Sequence, residues 1–102
     1  MNEEDYEKAR QQLQINMAQK QSVQLQYNES KRTLDEVEKT KDGEDLFELV
    51  GQILIKKDKK SIMDELKEKI DILEYRLKTI NKAVEENTAQ LQEIQKELEK
   101  KK

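Results

Sequence analysis

Few residues in this chain could do chemistry. It contains no cysteine and no histidine. That removes thiol nucleophiles, the usual zinc ligands and the side chain that moves protons near neutral pH. What remains is a set of 23 aspartates and glutamates. A carboxylate becomes a general acid or base only where a sheltered pocket moves its pKa. Here the acidic residues are interleaved with lysine, glutamine and leucine in helix-forming stretches, and a pair of long helices offers no such pocket. The sequence therefore implies no catalytic residue, no cofactor and no metal site.

Charge offers no better a ligand. The net charge is −3, with −1 carried by residues 1–41, −3 by 42–58 and +1 by 59–102. No segment has the basic excess that nucleic-acid binding requires. The densest cluster is Lys56, Lys57, Lys59 and Lys60. It reads first as a solvated strand-to-helix junction, with contact to a phosphate or acidic partner as the alternative. The longest apolar run, Ile53 to Ile55, is far too short to cross a membrane. The acidic opening "MNEEDYE" has no resemblance to a secretory leader. The expected address is cytoplasmic.

Charged residues make up 42% of the 102 and the hydrophobic set 33%, so a large internal core is excluded. The apolar residues are nevertheless spaced regularly. Met63, Ile70, Leu77, Val84, Leu91 and Leu98 recur every seven residues, and Leu66, Leu73, Ile80, Asn87 and Ile94 form a companion series. This is a coiled-coil stripe sustained over about five heptads. Tyr6, Leu13, Lys20, Tyr27 and Leu34, with Ala9, Asn16, Val23, Ser30 and Val37, repeat the pattern more weakly. Asn2 with Glu3, Glu4 and Asp5 reads as a helix start, and Lys39, Lys41 and Gly43 as a helix end. Ser61 with Asp64 reads as a capping box at the start of the second helix. Pairs such as Glu4/Lys8, Asp35/Lys39, Glu65/Lys69 and Glu97/Lys101 suit exposed helix faces. The helices are expected at about 2–41 and 61–101.

Between them the period changes from seven to two. In "DLFELVGQILIKKD" the run from Phe47 to Lys56 alternates around Gly51-Gln52, a pair that suits a two-residue type II′ turn. Strands are expected near 46–50 and 53–57. The fold class is thus mainly α, a long antiparallel two-helix coiled coil with one central β-hairpin, in a single domain spanning 1–102. The rival is one uninterrupted helix dimerising in parallel, against which the two glycines and the β-branched run argue. Antiparallel pairing sets Val37 against Leu66, Val23 against Ile80, Leu13 against Leu91 and Ala9 against Ile94. It also puts Asn16 and Asn87 into one layer, where a polar pair can specify register. The seam beyond that layer is expected to be looser.

A lone hairpin with two open edges is unstable in water. On the simple alternation, Phe47, Leu49, Ile53 and Ile55 share one face and Val50 and Leu54 the other. The favoured reading is edge pairing with other subunits into a shared sheet or barrel, which removes edges and covers apolar faces. Folding back on the chain's own helices is the alternative.

At "LFELVGQILIKKDKKSIMDELKEKI" and "QKQSVQLQYNESKRTLDEVEK" the chain resembles β-type subunits of the prefoldin family, with Gly51 matching the glycine of that family's hairpin turn. The resemblance implies an ATP-independent holdase and a hexamer of two α-type and four β-type subunits. The hairpins would build its body, and its coiled-coil tips would hold unfolded polypeptide and pass it to a group II chaperonin. The chain lacks a proline-containing lead-in and a polar tail, so the resemblance leaves tip length open. Candidate client contacts are Tyr6, Leu13, Leu91, Ile94 and Leu98, for which seam packing is the competing role, and Ile15 and Met17, which lie off the seam. The alternative function is a coiled-coil scaffold or assembly adaptor.

Overall fold

Four elements follow one another along the chain: α1 (Glu3–Glu38), β1 (Leu46–Val50), β2 (Ile53–Lys57) and α2 (Lys59–Lys100). The structure, a computed structural model, describes residues 2–100. Lys101, and with it the expected Glu97/Lys101 pair, lies outside the described residues. The strands occupy the expected positions and pair antiparallel. Gly51 has φ of +63°, and among the described residues no residue other than glycine has positive φ. Positive φ at the first turn position alone is the type II′ requirement.

The helix ends differ from expectation. Helix α1 stops at Glu38, not near 41. Thr40 bends back on Val37: its N–H donates to the Val37 carbonyl at 3.1 Å and its hydroxyl donates to the same oxygen at 2.7 Å. This tightens the last turn and ends the helix. Gly43 does not cap it. With φ of +90° it sits third in a separate turn, closed by the Glu44 N–H donating to the Lys41 carbonyl at 3.2 Å.

Helix α2 begins at Lys59, and its cap is Asp58 rather than Ser61. The Ser61 N–H donates to Asp58 Oδ1 at 2.7 Å, so Ser61 is the donor of the cap and not its acceptor. These bonds from Ser61 hold the Asp58 carboxyl below the ordinary aspartate range. The cap's contribution is therefore complete above that range and is lost as pH falls through the lowered value. A reciprocal box does form at the start of α1. There the Asp5 N–H donates to Asn2 Oδ1 at 2.9 Å and the Asn2 N–H donates to Asp5 Oδ2 at 3.0 Å.

Packing divides the chain into two units. One comprises the residues up to Gln24 together with those from Tyr75 onward. Its seam buries Ala9, Val23, Leu77 and Ile94, while Tyr6, Leu13, Asn16, Lys20, Ile80, Val84, Asn87, Leu91 and Leu98 are half-buried. Ala9 and Ile94 line one cleft with Gln12 and Asn87, so the two helices run antiparallel in this unit. Beyond Asn16 the seam buries Ala9 and Ile94, and Ile94, 0% exposed, is the most enclosed large side chain among the described residues. The small Ala9 side chain is part of the reason, because it admits the larger one opposite. The other unit, Leu25–Glu74, buries Ser30, Ile70 and Leu73 and carries the hairpin.

Because Ile94 is enclosed and Ile15 is 52% exposed, the two isoleucines should respond differently to truncation. Ile94→Ala is expected to cost about 2–5 kcal/mol of unfolding free energy, and Ile15→Ala less than about 0.5 kcal/mol. Guanidinium unfolding followed by circular dichroism measures both.

Candidate assembly surface

The hairpin register is set by its two-residue turn. Val50 lies opposite Ile53, Leu49 opposite Leu54, Glu48 opposite Ile55, Phe47 opposite Lys56 and Leu46 opposite Lys57. Directly opposed residues share a face. One face therefore carries Phe47, Leu49, Leu54 and Lys56, and the other Leu46, Glu48, Val50, Ile53, Ile55 and Lys57. This corrects the simple alternation, which had placed Phe47 and Leu49 with Ile53 and Ile55. An intervening turn of two residues reverses the parity: odd positions on β1 face with even positions on β2.

Both faces remain strongly apolar. Leu49, Ile53 and Leu54 are about two-thirds exposed, and Phe47, Val50 and Ile55 are also open to solvent. Near the root of the hairpin Leu46, Glu48 and Lys57 are half-buried. There Leu46, Phe47 and Leu49 line a groove with Val37, Ile62 and Leu66. So the fold-back expected as the alternative is partial: β1 lines this groove while the large apolar side chains of both faces stay exposed. Gly51 has nothing within 4 Å of where a side chain would begin, so its turn is open to solvent.

Of the lysine cluster, Lys56 and Lys60 are exposed as expected, while Lys57 and Lys59 are half-buried. Lys56 pairs with Asp45 at 3.1 Å. The Lys57 ammonium contacts the Glu48 carboxylate and pairs with Glu65 at 3.0 Å. Glu65 therefore serves the hairpin and not Lys69. Hydrogen bonds to Glu48 and then Glu65 hold Lys57 above the ordinary lysine value. Its favourable charge is complete below that value and lost only as pH rises through the raised one. Lys59 Nζ donates to the carbonyls of Thr40 at 2.7 Å and Glu38 at 3.2 Å, and lies 3.6 Å from Asp42. Sequence reading missed both roles. Once the register is corrected, Glu48 and Lys57 are diagonal neighbours on one face, a signal that was available. The Lys59 contacts span about twenty residues and left no local trace.

The unit containing the chain ends holds the other candidates. Asn16 Nδ2 donates to Asn87 Oδ1, and Gln12 Nε2 donates to Asn16 Oδ1 at 3.3 Å. Tyr6, Leu13, Leu91 and Leu98 are half-buried seam residues and Ile94 is fully enclosed. Ile15 and Met17 project outward, each slightly more than half exposed. Among the described residues no group of three or more acidic side chains is placed to hold a metal ion, and no helix is long and apolar enough to cross a membrane.

The prefoldin subunit family matches residues 1–102. The chain is 42% identical over 89 residues to prefoldin subunit beta of Thermococcus onnurineus, covering 87% of this chain and 77% of that protein. It is 36% identical over 93 residues to prefoldin subunit beta of Pyrococcus furiosus, covering 91% and 80%. The crystal structure of the prefoldin beta subunit from Thermococcus strain KS-1 superposes with a TM-score of 0.87 at 35% identity, over 94% of this chain and 84% of that one.

The asparagine layer makes a quantitative prediction. Asn87→Leu alone strands the Asn16 amide and should cost about 1 kcal/mol, whereas Asn16→Leu with Asn87→Leu should recover that loss. Denaturant unfolding of the four members of this double-mutant cycle checks it; strictly additive effects would show that the two side chains are not coupled.

Proposed function

The chain belongs to the prefoldin family, and from that premise we propose that it is a beta-type subunit of an ATP-independent holdase chaperone. In this reading the hairpin is its assembly element. It pairs with an alpha-type subunit and with further beta copies, in a hexamer of two alpha-type and four beta-type chains. The observation that carries the reading is the hairpin itself: six large apolar side chains open to water on both faces of a two-stranded sheet with two free edges. Patches of this kind mark interaction surfaces, and edge-to-edge pairing covers the faces and satisfies the edges at once.

The complex would hold unfolded polypeptide through many weak apolar contacts and deliver it to a group II chaperonin in the cytoplasm. Ile15 and Met17 are the best placed of the candidate client contacts. They are exposed on the helix that carries them, and methionine adapts to varied surfaces. Tyr6, Leu13, Leu91, Ile94 and Leu98 serve the seam first, and would reach a client only where the seam opens. That burial also favours a second reading, a coiled-coil scaffold or assembly adaptor that uses the same hairpin and grips no client.

Aggregation of a chemically denatured protein on dilution separates the two. The chain assembled with an archaeal alpha-type prefoldin subunit should suppress light scattering, and Ile15→Ser with Met17→Ser should raise the concentration needed several-fold. No protection by the unmodified complex would favour the scaffold. Equal protection by both complexes would remove Ile15 and Met17 from the client surface and leave the chaperone reading standing.

A further inference from the structure

Three consecutive residues at the root of the hairpin fasten three different elements. Lys57, the last residue of β2, reaches Glu48 on β1 and Glu65 on α2. Asp58 caps the first turn of α2. Lys59, the first residue of α2, donates to the carbonyls of Glu38 and Thr40 where α1 ends, and approaches Asp42. Each contact supplies something the helices lack on their own. Helix α1 has no basic residue in its last turn and helix α2 no acidic residue in its first. The carbonyls at a helix C-terminus are unpaired and carry the negative end of the helix dipole. Lys39 at that end turns its ammonium to Asp35 and Glu36, and Lys59 provides the cation that bonds the carbonyls directly, from another element.

We propose that Lys57 and Lys59 are positioning residues for assembly: they fix the direction in which the hairpin leaves the helices. This rests on the proposed role of the hairpin as the assembly element. The strand and helix are joined by Asp58 alone, so rotation about one residue would swing the hairpin. The Lys57–Glu65 pair crosses that joint. The Lys59 bonds tie the same joint to the end of α1. The lysine side chains keep 29% and 24% of their exposure, and partly exposed ion pairs add little to stability. Their value is geometric: a hairpin held at one angle presents its edges to a neighbour without first losing orientational freedom.

The absence of cysteine makes the test direct. Nitroxide labels at Gln52→Cys and Glu68→Cys, both exposed positions, report the hairpin direction in the chain alone by electron–electron double resonance. Lys57→Met with Lys59→Met is expected to broaden the distance distribution. It should leave helical circular dichroism unchanged and weaken assembly with an alpha-type subunit roughly tenfold, the loss expected when preorganisation is removed. Lys57→Arg with Lys59→Arg should restore both the narrow distribution and the affinity. An unchanged distribution in the methionine variant overturns the proposal, as does a broadened one with unimpaired assembly. Loss of helix content in step with assembly also overturns it, because that assigns the lysines to folding. If the unmodified chain shows a narrow distribution but does not assemble, the role of the hairpin in assembly fails, and the proposal with it; a narrow distribution that broadens in the methionine variant would leave only the fixing of its direction.

Discussion

A two-stranded sheet cannot satisfy itself. Each strand of the hairpin has one row of backbone groups paired and one row open, and each face of so small a sheet lacks a covering layer. In this chain the consequence is severe, because neither face is polar. Phe47, Leu49 and Leu54 stand on one side and Val50, Ile53 and Ile55 on the other. The chain's own helices cover it only in part: Leu46, Glu48 and Lys57 are half-buried, and Leu46, Phe47 and Leu49 line a groove with Val37, Ile62 and Leu66. The remainder of the structure is legible as the consequence of holding such an element open.

The helices bring the opposite chemistry. Their apolar stripe is narrow and is used up in the seam, which leaves charged and amide side chains for solvent. Within the unit that contains the chain ends the seam is well packed where Ala9 admits Ile94 and polar where Asn16 meets Asn87. Within the unit that contains the hairpin, Ser30, Ile70 and Leu73 are buried, and charge and capping contacts fasten the junction beside the groove lined by Val37, Ile62 and Leu66.

Much of this was legible in the sequence. A heptad repeat reports which residues are buried, and every position of both series that lies among the described residues is buried or half-buried. The strands were legible because alternation and Gly51 act over five residues at a time. The misses have separate physical causes. Asp58 and Ser61 can both cap a helix, and only the backbone bond of Ser61 to Asp58 decides between them. The end of α1 depends on Thr40 folding back on Val37, a local competition that periodicity does not record. Face assignment failed because a two-residue turn reverses parity. Nothing local in the sequence marks the role of Lys59, because its partners lie about twenty residues away.

Completion of the hairpin by other subunits, as proposed, is open to amide hydrogen exchange. A two-residue turn makes Val50 and Ile53 a hydrogen-bonded pair, so alternation turns the N–H groups of Phe47, Leu49, Leu54 and Lys56 toward the open edges. In the isolated chain these four amides should exchange rapidly. On addition of an alpha-type subunit the amides of at least one edge should become strongly protected, while the seam amides of α1 and α2 change little. Rapid exchange at all four positions in the complex would mean that no other subunit pairs with the hairpin edges.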